Sequence, residues 1–174
     1  ARNDALGRGG YDIGDVSVGL SHVFALNKSY AQIFVGELAF DTAGRPELGS
    51  GKHVLKGTYI HALFLAGGNI FAPAIVHSLS VGGDSSRAKV NRTAFDFYYV
   101  PKLSNKKLFM TIDPALSFDW ESDQQFASLA VTLGRVMGPA FGGNAQIFIK
   151  PSVFMGGERP SNWGIQFGYK VIGF

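Results

Sequence analysis

Histidine and serine are the side chains of this sequence that could carry out hydrolysis, and they stand close together at two places. His77 is followed by Ser78 and Ser80, and His22 is preceded by Ser21. A serine beside a histidine can attack an ester of a membrane lipid if the histidine accepts the serine proton. Neither set lies in a recognisable catalytic motif. Lipid hydrolysis is therefore less favoured than the two non-enzymatic functions given at the end of this section, and we predict that the chain is not an enzyme.

Metal and nucleotide chemistry also find little support in the residue types. The four histidines are dispersed and the chain has no cysteine, so we predict no metal site and no cofactor. The glycine-rich stretch 44–53 superficially resembles a phosphate-binding loop. However, Pro46 interrupts it, and His53 stands where that loop requires serine or threonine. It also lies between two predicted strands and not before a helix, so a hairpin loop is the simpler interpretation.

The most informative ionisable residues lie at or inside runs in which apolar and polar residues alternate. They are Asp15, Glu37, Arg92, Asp96, Asp113, Asp119, Lys150 and Lys170. Arg92 could pair with Asp96 of its own run or with a neighbouring residue such as Asp113. Two explanations remain open: cross-strand ion pairs that fill an interior, or charges that line a water-filled channel and set its selectivity.

Nine alternating runs position these residues, and alternation at period two predicts β-strands. Connections between the runs are predicted at 27–29, 41–52, 66–69, 82–89, 101–107, 121–123, 138–143 and 156–161, after a leading loop at 1–12. The run 53–65 is too uniformly apolar for its faces to be assigned. Twenty-three glycines, 13% aromatic residues and only 17% charged residues are typical of an all-β chain.

The last run shows the pattern most clearly. Trp163, Ile165, Phe167, Tyr169 and Val171 alternate with Gly164, Gln166, Gly168 and Lys170 over about ten residues, the length a tilted strand needs to cross a bilayer. Large apolar residues opposite ionisable ones predict lipid outside and polar groups inside. We therefore predict a transmembrane antiparallel up-and-down β-barrel in a single domain, 1–174. The alternative is a soluble sandwich or a lipocalin-like barrel.

Aromatic residues near the ends of the predicted strands mark the two membrane interfaces. They are Tyr99, Trp120, Trp163 and Tyr169. The final run resembles the closing strand of bacterial outer-membrane barrels, in which a terminal aromatic residue, here Phe174, is also the assembly signal. Phe174 is in phase with Lys170 and not with Tyr169. Either a bulge near Gly173 corrects the phase, or the signal is imperfect.

This closing strand also predicts which side of the membrane each connection faces. If it ends at the periplasm, the connections 41–52, 82–89, 121–123 and 156–161 are extracellular, as is 1–12. The connections 27–29, 66–69, 101–107 and 138–143 are then periplasmic. Bacterial single-chain barrels have even strand numbers, so nine strands predict either a miscount or strands upstream of Ala1.

Composition excludes some other classes. The net charge of +3 is small and scattered, so we predict no nucleic-acid partner. No apolar run approaches 18 residues, so no transmembrane helix is predicted. No signal peptide opens the chain, and Ala1-Arg2-Asn3-Asp4 is typical of a mature or truncated start.

Five short signatures occur in order along the chain. They are Ile13-Gly14-Asp15-Val16, Leu48-Gly49-Ser50-Gly51-Lys52, Val90-Asn91, Phe118-Asp119-Trp120 and Asn162-Trp163-Gly164-Ile165. Together they resemble the outer-membrane family associated with the meta-pathway of phenol degradation, whose members are also called neuromedin-U-like or transporter proteins. The resemblance implies a barrel of about twelve strands that passes small molecules.

These observations predict an outer-membrane channel or transporter for a small solute in a Gram-negative bacterium, and the family resemblance alone implies that the solute is hydrophobic or aromatic. The alternative is a closed structural or partner-binding barrel in an envelope assembly. Expected partners are membrane lipid and lipopolysaccharide, the barrel-assembly machinery, the solute and, in the second case, other envelope proteins.

Overall fold

The computed structural model describes residues 14–45, 48–157, 159 and 161–172. Within them the chain forms nine strands. They are β1 (Val16–Leu26), β2 (Tyr30–Phe40), β3 (Lys52–Phe64), β4 (Ile70–Gly83), β5 (Asn91–Val100), β6 (Leu108–Asp119), β7 (Gln124–Ala140), β8 (Gly143–Gly156) and β9 (Trp163–Ile172). A single-turn 3-10 helix, Ala66–Gly68, connects β3 to β4. No helix among the described residues has the length and apolar character needed to cross a membrane.

The nine strands form one antiparallel sheet in sequence order, from β1 to β9. Each strand pairs with its neighbours in the chain, so every connection is a hairpin. The sheet is curled into a half-barrel, and in the described structure β1 and β9 each pair on one side only. The predicted all-β antiparallel class and the nine strands are confirmed.

The two faces of the sheet differ sharply in composition. Directly paired residues share a face, so one row can be followed across the sheet through the registers: Phe34, Tyr59, Ile75, Phe95, Leu116, Ala127 and Met155. All are apolar or aromatic, and on this face many large side chains are exposed, up to 83% for Leu20. We call it the apolar face.

The opposite face carries small and polar residues, and we call it the concave face. Six of its alanines are buried: Ala31, Ala62, Ala72, Ala74, Ala115 and Ala130 are between 3% and 8% exposed. Small residues become buried on the inside of a curled sheet because side chains from several strands converge there.

Two irregularities alter the predicted strands. The prediction of a connection at 138–143 is wrong, because β7 continues to Ala140 and β8 begins at Gly143. The turn is only Phe141-Gly142, with φ of 49° and 83°, which suits a two-residue hairpin. In β1, the register shifts between Val23 and Ala25, so Leu26 pairs with Ala31 of the concave face and not with the apolar row.

Candidate functional site

Charged side chains in the strands are collected almost entirely on the concave face. The described strands contain ten Asp, Glu, Lys and Arg residues, and the registers place nine of them there: Glu37, Lys52, Lys56, Arg92, Asp96, Asp113, Asp119, Lys150 and Lys170. The exception is Arg135, which stands on the apolar face. The concave face is therefore the candidate functional site.

Two ion pairs join residues that lie directly opposite each other on neighbouring strands. Lys56 Nζ of β3 is 2.7 Å from Glu37 Oε2 of β2. Arg92 of β5 donates a 2.9 Å hydrogen bond to Asp119 of β6. Asp119 is thus the partner of Arg92, and neither of the two residues considered from the sequence, Asp96 and Asp113, forms that pair.

A third ion pair passes over a whole strand. Lys150 Nζ of β8 lies 3.5 Å from Asp113 Oδ2 of β6, although β7 runs between them. The residue of β7 opposite Asp113 is Ala130, whose small side chain leaves room for the contact. Asp113 is only 7% exposed, and its Oδ1 has no hydrogen-bond partner.

Asp96 and Tyr98 of β5 extend this pair into a cluster. The Tyr98 side chain interacts with the carboxylates of both Asp96 and Asp113, and Lys150 interacts with both carboxylates as well. Four polar side chains from β5, β6 and β8 thus meet on the concave face, with one cationic and two acidic groups among them. Such an arrangement can bind water or a small polar solute, or it can hold the strands together.

Lys170 stands in a different environment on the same face. Its Nζ lies 5.4 Å from the ring centre of Phe109 and 5.7 Å from that of Phe148, within the range of cation–π contacts. Glycines make room for these rings: a Cβ on Gly134 would overlap Phe109, and one on Gly168 would overlap Phe148. Aromatic surface and one ammonium group therefore stand together near one end of the concave face.

Asp15 lies before β1, at the rim of the sheet, where its carboxylate holds the β2–β3 connection. It accepts hydrogen bonds from the backbone N–H groups of Thr42, Ala43 and Ser50, at 3.2, 3.2 and 2.8 Å, and from the Ser50 hydroxyl at 3.1 Å. These bonds, that from the Ser50 N–H above all, lower the pKa of Asp15 below its ordinary value. A Cβ on Gly49 would come within 2.5 Å of Asp15 Oδ1. Two of the five signatures thus form one contact.

The β4–β5 connection also forms hydrogen bonds with the β2–β3 connection at this rim. Arg87 Nη2 donates to the Gly49 carbonyl at 3.0 Å, and Lys52 Nζ donates to the Asp84 carbonyl. A small cavity of about 260 Å³ lies between the two connections. The β2–β3 and β4–β5 connections are therefore joined into one hydrogen-bonded rim.

The four aromatic residues predicted to mark membrane interfaces lie two at each end of the sheet. Trp120 follows β6, stacks on Phe118 with ring centres 6.1 Å apart and donates from Nε1 to Thr93 Oγ1 at 2.9 Å. Trp163 begins β9 at the same end. Tyr99 and Tyr169 stand on the apolar face towards the opposite end. Phe174, the predicted assembly signal, lies outside the described residues.

The Ser–His sets are not brought together by the fold. His77 lies on the apolar face and bonds Thr93 Oγ1 through Nδ1 at 3.0 Å, whereas Ser78 and Ser80 point to the concave face. His22 and Ser21 are separated in the same way, because successive residues of a strand point to opposite faces. Within the described part of the chain, no cluster of three or more possible metal ligands occurs.

Sequence reasoning missed Lys56 and the two phenylalanines under Lys170. The run 53–65 had no assigned faces, so Lys56 could not be placed. Counting residues outwards from both ends of the connection 41–52 would have placed Lys56 opposite Glu37 and so assigned its face. Phe109 and Phe148 stand on the polar side of their strands, against the general pattern, and only the glycines opposite them hint at this.

Comparison with known proteins identifies no relative: no family model matches the chain, and no curated protein or solved structure matches it significantly.

Proposed function

We propose that this chain is the greater part of a transmembrane β-barrel of the Gram-negative outer membrane, through which a small solute passes. The observation that supports this most is the separation of the faces. Nine of the ten charged strand residues stand on the concave face, and most of the exposed large hydrophobic residues of the strands stand on the other. This is the reverse of a soluble barrel, whose interior is the apolar side, and it matches lipid outside with polar groups inside.

The extent of the exposed apolar face supports the same proposal. Leu20, Phe167 and Leu133 are 83%, 72% and 47% exposed, and they lie on three different strands. Soluble monomers rarely expose contiguous apolar patches larger than about 300–600 Å². Hydrocarbon contact removes that cost without any further protein layer.

Closure of the barrel is part of the proposal. Unpaired backbone groups at a sheet edge are not tolerated in hydrocarbon, and both β1 and β9 have such an edge in the described structure. We propose that further strands close the ring, giving a total of about twelve, an even number as in other bacterial barrels and enough for a narrow lumen.

The concave face also suggests what could pass. Phe109 and Phe148 offer aromatic surface beside the Lys170 ammonium, and the Asp96–Asp113–Lys150 cluster offers polar groups further along. A small solute with an aromatic or otherwise hydrophobic body would find both kinds of contact.

A closed structural barrel is the second candidate, and one observation favours it. The Asp113–Lys150 pair reaches across β7, and the Phe109 and Phe148 rings rest on glycines, so several side chains extend along the concave wall. If their counterparts on the closing strands do the same, the lumen is filled. The barrel would then serve as a scaffold or as a binding partner in the envelope.

Single-channel recording separates the two candidates. The full-length protein, folded and inserted into planar bilayers, should show discrete conductance steps. Asp113→Asn and Lys150→Gln should shift the ratio of anion to cation permeability in opposite directions, because they remove opposite charges from the lumen. Lys89→Gln, at an exposed rim position, is the control and should shift it less. Absence of conductance from folded protein would support the closed barrel.

The location in the cell is tested independently by separating the membranes of lysed cells on a density gradient. The protein should be recovered with the outer membrane and should move to the unfolded position on a gel only after heating. Recovery in the soluble fraction would contradict the proposal.

A further inference from the structure

Arg135 is the exception to the separation of charges. It is the one Asp, Glu, Lys or Arg residue of the described strands that stands on the apolar face. The registers place it in a row with Leu108, Ile147 and Tyr169. Among the described residues it has no ion-pair partner. A lone cation on a face that we propose contacts hydrocarbon requires an explanation.

A groove of about 690 Å³ runs along the apolar face beside Arg135. Two parallel rows of side chains form its walls: Leu133, Ile149 and Phe167 on one side, and Leu108, Ile147 and Tyr169 on the other. Between these rows, Phe148 directs its ring to the concave face, and Gly134 and Gly168 have no side chain, so the groove stays open. The walls are apolar apart from Arg135, which stands in the second wall between Leu108 and Ile147.

The surroundings of Arg135 are basic. Its row begins at Leu108, the first residue of β6, so it stands close to the 101–107 connection. That connection contains Lys102, Lys106 and Lys107 and no acidic residue. The Val136 N–H donates to the Lys107 carbonyl at 2.7 Å, which holds the connection alongside β7.

We infer that this groove binds an anionic phospholipid, with one acyl chain along the apolar walls and the headgroup phosphate on Arg135. The inference rests on the proposed membrane location. A guanidinium binds phosphate through two parallel hydrogen bonds, and an arginine near the membrane interface costs little compared with one at the midplane. The neighbouring lysines add attraction for negative charge, and Tyr169 lies at the depth where aromatic side chains meet headgroups.

The test measures which lipid stays on the protein. Full-length protein is reconstituted with an equimolar mixture of phosphatidylglycerol and phosphatidylcholine, released into mild detergent and weighed by native mass spectrometry. Wild type should retain phosphatidylglycerol preferentially. Arg135→Gln should reduce that preference about fivefold, the effect of one basic residue near a membrane surface, whereas Arg135→Lys should keep part of it.

Two control variants distinguish the headgroup contact at Arg135 from the contribution of the groove and from a general effect of positive charge. Lys28→Gln removes one positive charge at the same end of the sheet but outside the groove, and should leave the preference unchanged. Ile149→Trp should fill the groove and reduce retention while Arg135 remains in place.

Several results would overturn the inference. They are equal retention by wild type and Arg135→Gln, and displacement of the lipid by millimolar inorganic phosphate, which would indicate an anion site alone. Preferential retention of lipid A, when lipid A is added to the mixture as a third component, would also overturn it. Failure of the protein to float with vesicles of either lipid would instead contradict the proposed membrane location. Loss of the phosphatidylglycerol preference with flotation intact contradicts the lipid site alone.

Discussion

Ile75 and Val76 are neighbours on β4 with similar side chains, yet they face different surroundings. Ile75 lies in the apolar row between Tyr59 and Phe95 and is 46% exposed. Val76 lies on the concave face between Thr58 and Ala94. In a soluble sheet the more exposed of two such positions would tolerate a charge better. If the apolar face contacts lipid, Val76 should tolerate a charge better than Ile75, because an exposed side chain on the apolar face then contacts hydrocarbon.

The largest expected effect comes from placing a charge on each face in turn. Ile75→Arg should reduce the free energy of unfolding in lipid vesicles by about 2–4 kcal/mol, the cost of arginine near the midplane on a lipid-facing strand. Val76→Arg should cost less, because the concave face already holds charges. Denaturant titrations of the vesicle-bound protein measure both. A larger loss for Val76→Arg than for Ile75→Arg would refute the assignment of the faces.

A smaller effect distinguishes two ion pairs within the concave face. Lys150→Met leaves the Asp113 carboxylate buried without a cation and should cost about 1–3 kcal/mol. Lys56→Met should cost less than about 1 kcal/mol, because its partner Glu37 has a side chain that is 30% exposed, against 9% for Asp113. The same titrations report both values. Equal losses would mean that the burial of Asp113 does not matter.

In the Lys150→Met protein, a second substitution tests whether the unpaired Asp113 carboxylate causes the loss of stability. Asp113→Asn removes the uncompensated charge and should recover part of the lost stability. No recovery would indicate that the methionine side chain itself disturbs the face.

The smallest expected effect is local and lies at the rim, away from both faces. Asp15→Asn removes the charge that accepts the hydrogen bonds of the β2–β3 connection, and each bond is worth about 1 kcal/mol. Amide exchange of the segment 41–51 at neutral pH, measured by mass spectrometry, should become several times faster. Exchange in the β7–β8 hairpin should be unchanged and serves as the internal control.

Acid should have the same effect on the wild-type rim. The pKa of Asp15 is lowered in the folded protein, so the stabilisation is present above the unfolded pKa and is lost as the pH falls through the lower, folded value. The rim should therefore remain closed at pH 5 and open only below the ordinary carboxylate range, about 3.9. Cleavage of the segment by pepsin across a series of acidic pH values measures this. Opening above pH 5 would contradict the role of Asp15.

Much of the sheet could be predicted from alternation alone. β2 was predicted with the bounds the structure has, and the faces of β4, β5, β6 and β9 follow period two. The β7–β8 turn was predicted wrongly because Gly138-Pro139 has the composition of a loop. In the structure Gly138 adopts a φ of 127° within a register shift, and the strand continues. Composition cannot distinguish a bulge from a turn.

The candidate site could be predicted only as a set of residues and not as contacts. Asp96, Asp113 and Lys150 were each expected on one face. Their meeting depends on the registers of β5 to β8 and on the curl of the sheet, which no local pattern contains. Asp15 is at the rim for a similar reason, since its four hydrogen bonds come from a connection more than 25 residues away.

The contact between Asp113 and Lys150 bears on how wide the proposed closed barrel can be. Two strands separated by a third stand about 9.6 Å apart along the sheet, and their inward-pointing side chains approach each other only when the sheet bends towards them. Flattening β6, β7 and β8 would pull the two charges apart, so the pair favours one local radius. Because radius and strand number are linked in a barrel, this ion pair favours some strand counts over others.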